Sequence, residues 1–294
     1  MLGDLNLYRV FYTVAKYKNI SHASEILYVS QPAVSKSIKI LENELGVKLF
    51  LRSSKGVSLT YEGNALFEHV KSGFEEFLLG EKILEQIKNK DIGKINIGVS
   101  TTIGKKYFVP ELVQFMKIYP NFNINIINKT TIDTVKLVND NKLDLAIVGT
   151  PLLDNNLEFI ELTKMQDIFV ASPTYLKKFK NKPLQNIFNE GSFMFLEKPN
   201  ITRVHIDNYF ISQGLNIKPE IEASNMDFLL ECAKIGLGIT SIIKAFCLND
   251  LQSNTLREIP LEVPIPQRSI GVVFKNFSGL SIASKTLIEF LQNH

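Results

Sequence analysis

The 294-residue sequence predicts an α/β protein in three parts: a small helical unit closed by a β-hairpin, a single long helix, and a two-lobed body of alternating strands and helices. Three observations carry this. Apolar residues recur at helical spacing up to Leu45 and are followed by two short alternating runs around a turn-rich tip. Helical spacing then holds from Leu66 to Ile87 without a proline. Beyond Asp91-Ile92-Gly93 the pattern changes to strand, helix, strand, helix, strand.

Composition bounds what these parts do. With 45% hydrophobic residues the chain can bury sizeable cores. No run approaches the roughly 18 to 20 uninterrupted apolar residues of a membrane span, and Met1-Leu2-Gly3-Asp4 does not open a secretion signal. A cytoplasmic protein with no membrane partner is expected. Cys232 and Cys247 fit no metal-ligand spacing and are expected as small core residues. His22, His69, His205 and His294 do not cluster, and neither a Ser-His-acid set nor paired carboxylates can be discerned. No metal, cofactor or enzymatic activity is expected. Gly236-Leu237-Gly238 lacks the preceding strand and third glycine of a dinucleotide site.

The net charge of +3 is unevenly placed. Residues 1 to 60 hold eight Lys and Arg against four acids, leaving 25 against 26 in the rest of the chain. A basic unit on a near-neutral body suits one part that meets a polyanion and one that does not.

Within the basic unit, Leu7, Val10, Phe11 and Val14 set a first helix over Leu5 to Lys18. Ser21 is expected to cap a short second helix that turns Ala23, Ile26 and Leu27 inward. After Tyr28-Val29, Ser30 is the N-cap of a third helix, and Pro32 sits in its first turn, where a missing N–H costs nothing. Val34, Ile38, Leu41 and Leu45 are its buried stripe, and Gly46 ends it. This is the arithmetic of a helix-turn-helix, whose reading helix enters the major groove of double-stranded DNA N-terminus first. Opposite the stripe, Gln31, Ser35 and Lys39 follow one another beside Ala33 and Lys36. Gln can bond an adenine edge, Ala can touch a thymine methyl, Ser can serve base or phosphate, and Lys neutralises phosphate. Leu49–Arg52 and Val57–Thr60 then read as a hairpin, a wing from which Arg52 and Lys55 would grip phosphates. Ser30, Gln31, Pro32, Ala33, Ser35, Lys36, Lys39, Arg52 and Lys55 are the candidate DNA-contacting residues.

The set Asn19-Ile20-Ser21-His22-Ala23-Ser24-Glu25, Leu27, Ser30-Gln31-Pro32-Ala33-Val34-Ser35, Ile38, Leu41-Glu42, Leu45-Gly46, Leu49-Phe50, Arg52, Leu59-Thr60 and Gly63 resembles the DNA-binding signature of LysR-type transcriptional regulators. Ile20 and Ser24 depart from that pattern, where the family usually carries Phe and Ala, at inward-facing positions. The resemblance implies a sequence-specific, effector-controlled regulator that works as a dimer or tetramer.

Thr60 can cap a helix running to about Asn89, with Leu66, Val70, Phe74, Phe77, Leu84 and Ile87 on one stripe and Phe67, Leu78, Leu79 and Ile83 beside it. A lone helix cannot cover that much apolar surface, so pairing with a second copy is expected. Gly73 and Gly80 are the points where it would kink.

In the body, Ile95, Ile97 and Val99 form a strand, Phe108, Leu112, Phe115 and Met116 a helix, Ile124 to Ile127 a second strand, and Leu143 to Val148 a third, implying a parallel sheet. A second set runs from Asp167 through Phe193–Leu196, Ile206–Gln213 and Met226–Lys234, and Ile265-Pro266-Gln267 returns the chain to the first lobe. Two lobes joined by two crossings resemble the periplasmic-binding-protein-like effector domain of the same family. The expected division is 1–60 for the winged helix-turn-helix, 61–90 for a linker and dimerisation helix, and 91–294 for the effector domain. Lobe I would take about 91–163 and 268–294, and lobe II about 164–267. Ligands in such sheets sit outside the carboxyl ends of the strands. Ser100, Thr101, Thr102, Thr131 and Thr150 of lobe I and Asn200, Ile201, Thr202 and Asn225 of lobe II fall there, with Gly238-Ile239 nearby. Hydroxyls and backbone donors without a fixed carboxylate suit a small polar or anionic effector, and the resemblance places inducer-lining residues at the same positions. Three other classes fit parts of the sequence: a solute-binding protein, an enzyme on an α/β body, and a sequence-indifferent DNA-packaging protein.

Overall fold

Each stretch of helical and alternating periodicity becomes an element in the computed structural model, which describes residues 4–53, 56–152, 156–180 and 182–294. The chain divides into two units, 1–85 and 86–294.

In the first unit, α1 (Leu5–Tyr17) is capped by Asp4 and ended by Lys18 in a left-handed turn. The second helix, α2 (Ile20–Leu27), is capped by Asn19, which accepts the His22 N–H at 3.0 Å. Ser21, the expected cap, lies inside the helix instead. Ala23 is buried and Leu27 half-buried as expected, but Ile26 is exposed. At 100° per residue Ile20, Ala23, Ser24 and Leu27 share one face, and Ile26 lies well off it. Ser30 caps α3 (Gln31–Leu45), whose Val34, Ile38 and Leu41 are buried. Leu45, expected on the buried stripe, is exposed in the last turn of α3. Gly46 stops the helix at φ +70°, which favours glycine. The wing pairs β1 (Phe50–Ser53) antiparallel with β2 (Gly56–Leu59), so both strands begin one residue off the expected runs. Thr60 Oγ1 donates to Lys48 O at 2.7 Å and accepts the Gly63 N–H at 2.8 Å, opening α4 (Tyr61–Lys88). A side chain at Gly63 would meet Leu49 O at 2.1 Å, so this approach of helix to strand needs glycine. The helix runs through Gly73 and Gly80 without a break.

The second unit begins with β3 (Gly93–Val99) and a helical run in which α5 (Thr101–Ile103) and α6 (Val109–Ile118) flank a wider π turn over Gly104–Phe108. Then come β4 (Phe122–Asn128), α7 (Thr131–Asn139), β5 (Leu145–Gly149) and β6 (Glu158–Met165). The second lobe holds β7 (Asp167–Ala171), α8 (Pro173–Leu176), α9 (Leu184–Glu190), β8 (Phe193–Leu196), α10 (Ile201–Ser212) and β9 (Ile221–Ala223). It continues with α11 (Met226–Lys234), β10 (Ile239–Ile243), α12 (Leu248–Gln252) and β11 (Arg257–Glu258). The chain returns to the first lobe with β12 (Arg268–Phe274) and α13 (Ile282–Gln292).

The first sheet is ordered β4-β3-β5-β12-β6 and the second β11-β7-β10-β8-β9. The first three strands are parallel, Ile97 lying opposite both Ile126 and Leu145. The expected all-parallel sheet is nevertheless mixed: β12 enters from the second lobe, at the end where β5 finishes, and so runs antiparallel to β5. The two crossings are short and tied together. Gln166, alone between β6 and β7, donates through Nε2 to Ile265 O at 2.7 Å on the other crossing. One apolar cluster spans both lobes, from Ile97, Phe115 and Phe290 to Met226, Leu229 and Ile242. A second, rich in phenylalanine, fills lobe II around Phe169, Phe193 and Phe210.

Candidate functional site

In the first unit the tip of α3 is open to solvent: Ser30, Gln31, Pro32, Ala33, Lys36 and Lys39 are exposed and Ser35 is half-buried. Ser30 Oγ accepts the Ala33 N–H at 3.4 Å, so the cap leaves the side chains beyond it uncommitted. The face behind is held rigidly. Glu42, buried on α3, accepts the N–H of Leu49 at 2.9 Å and of Phe50 at 3.4 Å, and the Lys48 ammonium at 2.9 Å. Burial pushes its carboxyl up, but the Lys48 and backbone hydrogen bonds outweigh that and hold it below the ordinary carboxylate value. This carboxylate fixes the start of the wing to α3. Arg52 pairs with Val57 through its backbone in the hairpin. The Arg52 side chain and Lys55 lie outside the described residues.

A cavity of about 250 Å³ opens between the lobes of the second unit, outside the carboxyl ends of β3, β4, β5, β8, β9 and β10. Four helical runs begin at its wall. Thr130 caps α7, Asn200 caps α10 by accepting the Thr202 N–H at 2.9 Å, and Asn225 caps α11 by accepting from Asp227 at 2.8 Å and Phe228 at 3.2 Å. The run from Thr101 has no side-chain cap, and among the described residues no acceptor is seen for the N–H groups of Thr101, Thr102 and Ile103. Among the described residues the hydroxyls of Ser100, Thr102, Thr131 and Ser224 likewise make no side-chain hydrogen bond. Converging N-termini and spare donors favour negative charge.

At the base Arg268 donates to Asp167 from Nε at 2.6 Å and Nη2 at 2.9 Å, to Thr202 Oγ1 at 3.0 Å, and to Thr150 O at 3.4 Å. Both charges are buried. Beside them His205 contacts Pro266 O at 3.0 Å, and burial, joined by the Arg268 charge, pushes its imidazole below the ordinary value. Lys129, also on the wall, is in no ion pair among the described residues. The lining therefore carries one positive charge beyond a self-neutralised pair.

Of the nine residues anticipated here, Ser100, Thr101, Thr102, Thr131, Asn200, Ile201, Thr202 and Asn225 line the cavity. Thr150 does not: its hydroxyl accepts the Ser269 N–H at 2.8 Å and so braces β5 to β12. Gly238-Ile239 is also corrected, since it opens β10 opposite Phe193, at the end of the sheet away from the cavity. The expectation of no fixed carboxylate fails at Asp167, although Arg268 neutralises it. The sequence reading missed Asn128, Lys129, Thr130, Ser224 and Met226. Lys129-Thr130 could have been found by the rule that located Ser100, being the turn after a strand. Arg268 could not, because its partner lies 101 residues away.

Comparison with known proteins adds two family models: "Bacterial regulatory helix-turn-helix protein, lysR family" matches residues 5–64, and "LysR substrate binding domain" matches residues 88–294. The chain is 27% identical to the uncharacterized HTH-type transcriptional regulator YwbI of Bacillus subtilis, over 99% of this chain and 96% of that one. Its fold is similar to a full-length OxyR variant from Pseudomonas aeruginosa, with a TM-score of 0.72 at 20% identity, covering 99% of each chain. It is also similar to full-length CbnR complexed with its target DNA, with a TM-score of 0.70 at 15% identity and 99% of each chain covered. Both likenesses are of fold and run over nearly the whole chain.

Proposed function

The chain belongs to the LysR family and is a DNA-binding transcriptional regulator, and on that premise we propose that α3 reads base edges while the inter-lobe cavity takes a small polar or anionic effector that controls it. The observation that carries the DNA half is the exposed tip of α3, where Gln31, Ala33 and Lys39 stand clear of a rigid support. The likeness in fold to a regulator solved on its target DNA supports it. Ser30, Gln31, Pro32, Ala33 and Ser35 make the base-edge and groove contacts, and Lys36, Lys39, Arg52 and Lys55 meet phosphate. The effector half rests on the spare hydroxyls of Ser100, Thr102 and Thr131 and the free N–H groups at the start of the run from Thr101, facing Asn200, Thr202 and Asn225 across the cavity.

The functional divisions are 1–60 for DNA reading, 61–90 for linkage and self-association, and 91–294 for effector binding. Two copies place two reading helices on an interrupted palindrome. Exposed apolar side chains on the second unit as well, Val109 and Val113 on one side of α6 among them, are consistent with the pairing of dimers into tetramers. No helix among the described residues is long and apolar enough to cross a membrane, which agrees with action in the cytoplasm.

Fluorescence anisotropy with duplex from upstream of the chain's own gene and with a scrambled duplex tests the reading. Gln31→Ala is expected to weaken binding by about 1–3 kcal/mol at one base pair, and Lys39→Ala to weaken both duplexes alike with a shallower salt dependence. Equal losses from both variants on both duplexes would contradict the assignment.

A further inference from the structure

Beside the effector cavity lies a second one of about 230 Å³, lined mainly by the aliphatic Ile132, Val135, Leu152 and Ile201 and also by Thr131, Lys136 and Asn139. Thr131 and Ile201 line both cavities, so the two are neighbours across one pair of side chains. Resting on the reading of the main cavity as the effector site, we infer that the effector is an amphipathic monoanion whose acid group sits in the main cavity and whose apolar arm lies in this annex.

Three observations point the same way. First, Ile103, Leu196, Met226 and Ile242 line the main cavity together with its polar groups, so a wholly polar molecule would leave that apolar lining unmatched. Second, Asp167 and Arg268 neutralise each other, which leaves Lys129 and the helix N-termini to balance one negative charge. Third, 250 Å³ falls below the roughly 300–1,000 Å³ usual for small-molecule sites, and the annex brings the pair into that range. Ile132, Val135 and Leu152 are half-exposed aliphatic side chains, and covering them is favourable in proportion to apolar area.

Isothermal titration calorimetry of the full chain with acetate, butyrate, hexanoate and octanoate tests this. Affinity should rise by up to about fourfold per added methylene. Val135→Phe, which fills the annex, should abolish the gain for the longer acids and leave butyrate unchanged. Leu152→Gln, which adds no bulk, should reduce the same gain. Equal affinity along the series, no binding by any acid, or an undiminished gain in both variants overturns the arm. The underlying site fails separately, if Ser100→Ala with Thr202→Ala binds the acids as tightly as the unaltered chain.

Discussion

Glu42 shows how one residue can matter more than its place in the sequence suggests. It belongs to the family pattern and reads as an ordinary acid on a polar helix face, yet it is buried and takes two backbone N–H groups from the start of the wing. Removing it leaves those donors unsatisfied, so Glu42→Ala should destabilise the first unit by about 1–3 kcal/mol. The folded carboxyl titrates below its ordinary value of 4.5, so the unfolded chain takes up the proton first as pH falls. The contribution is therefore full above that ordinary value and is lost as pH falls through the folded one. Urea unfolding at about pH 7 and about pH 4 should show a larger gap between wild type and variant at the higher pH. A gap that grows on acidification would contradict the assignment. At the same scale, burial pushes the Cys247 thiol up to about 11, with Asp250 and Glu258 adding to it, so at neutral pH it is protonated and behaves as a small apolar side chain. Ser30 was legible because a cap and its helix are neighbours in sequence; the partners of Glu42, Lys48 to Phe50, lie past the end of α3 where the wing begins, and helical periodicity does not reach them.

Among the elements, α4 carries the clearest unmet demand. Its first turns are satisfied within their own unit: Leu66, Phe67 and Val70 pack on the helical core, and Phe67 and Phe74 stack on Tyr12. Farther along, Phe77, Leu78, Leu79, Ile83 and Leu84 are all exposed, Leu84 to 67%. Large apolar side chains exposed along one helix are what the self-association proposed above would cover. Leu78→Glu with Leu84→Glu should convert the chain to a monomer at micromolar concentration with its helical content retained, as read by sedimentation equilibrium and circular dichroism. An unaltered chain that is already monomeric, or a variant that still dimerises, refutes the role of this face. The periodicity announced the apolar stripe; which part of it the first unit covers depended on where α1 folds back.

At the scale of the molecule, the second unit is two sheets pinned at a narrow crossing. The Asp167–Arg268 pair, its link to Thr202, and Gln166 across to Ile265 put charge and hydrogen bonds where the lobes join. Arg268→Met should cost about 3–5 kcal/mol in unfolding of the 86–294 unit, because a buried carboxylate loses its counter-charge. Adding Asp167→Asn should recover much of that loss, and the comparison of single and double variants checks it. If the double variant is as unstable as the single one, the orphaned charge is not the cause. The apolar cluster shared by both lobes limits how far they can part. The effector control proposed above would therefore have to work by small rearrangements at the cavity, with contacts that differ between bound and free states.

Taken alone, the sequence determined the order of elements, the caps at Ser30 and Thr60, the exposed polar face of α3, and the strand-end turns that supply eight of the cavity's residues. These follow from periodicity and from rules that act over a few residues. Only the tertiary structure decided the direction of β12, the pairing of Arg268 with Asp167, the brace at Thr150 and the apolar annex behind Ile201. Each of these joins residues far apart in the chain, and such contacts are set by how the lobes pack and leave no periodic trace in the sequence.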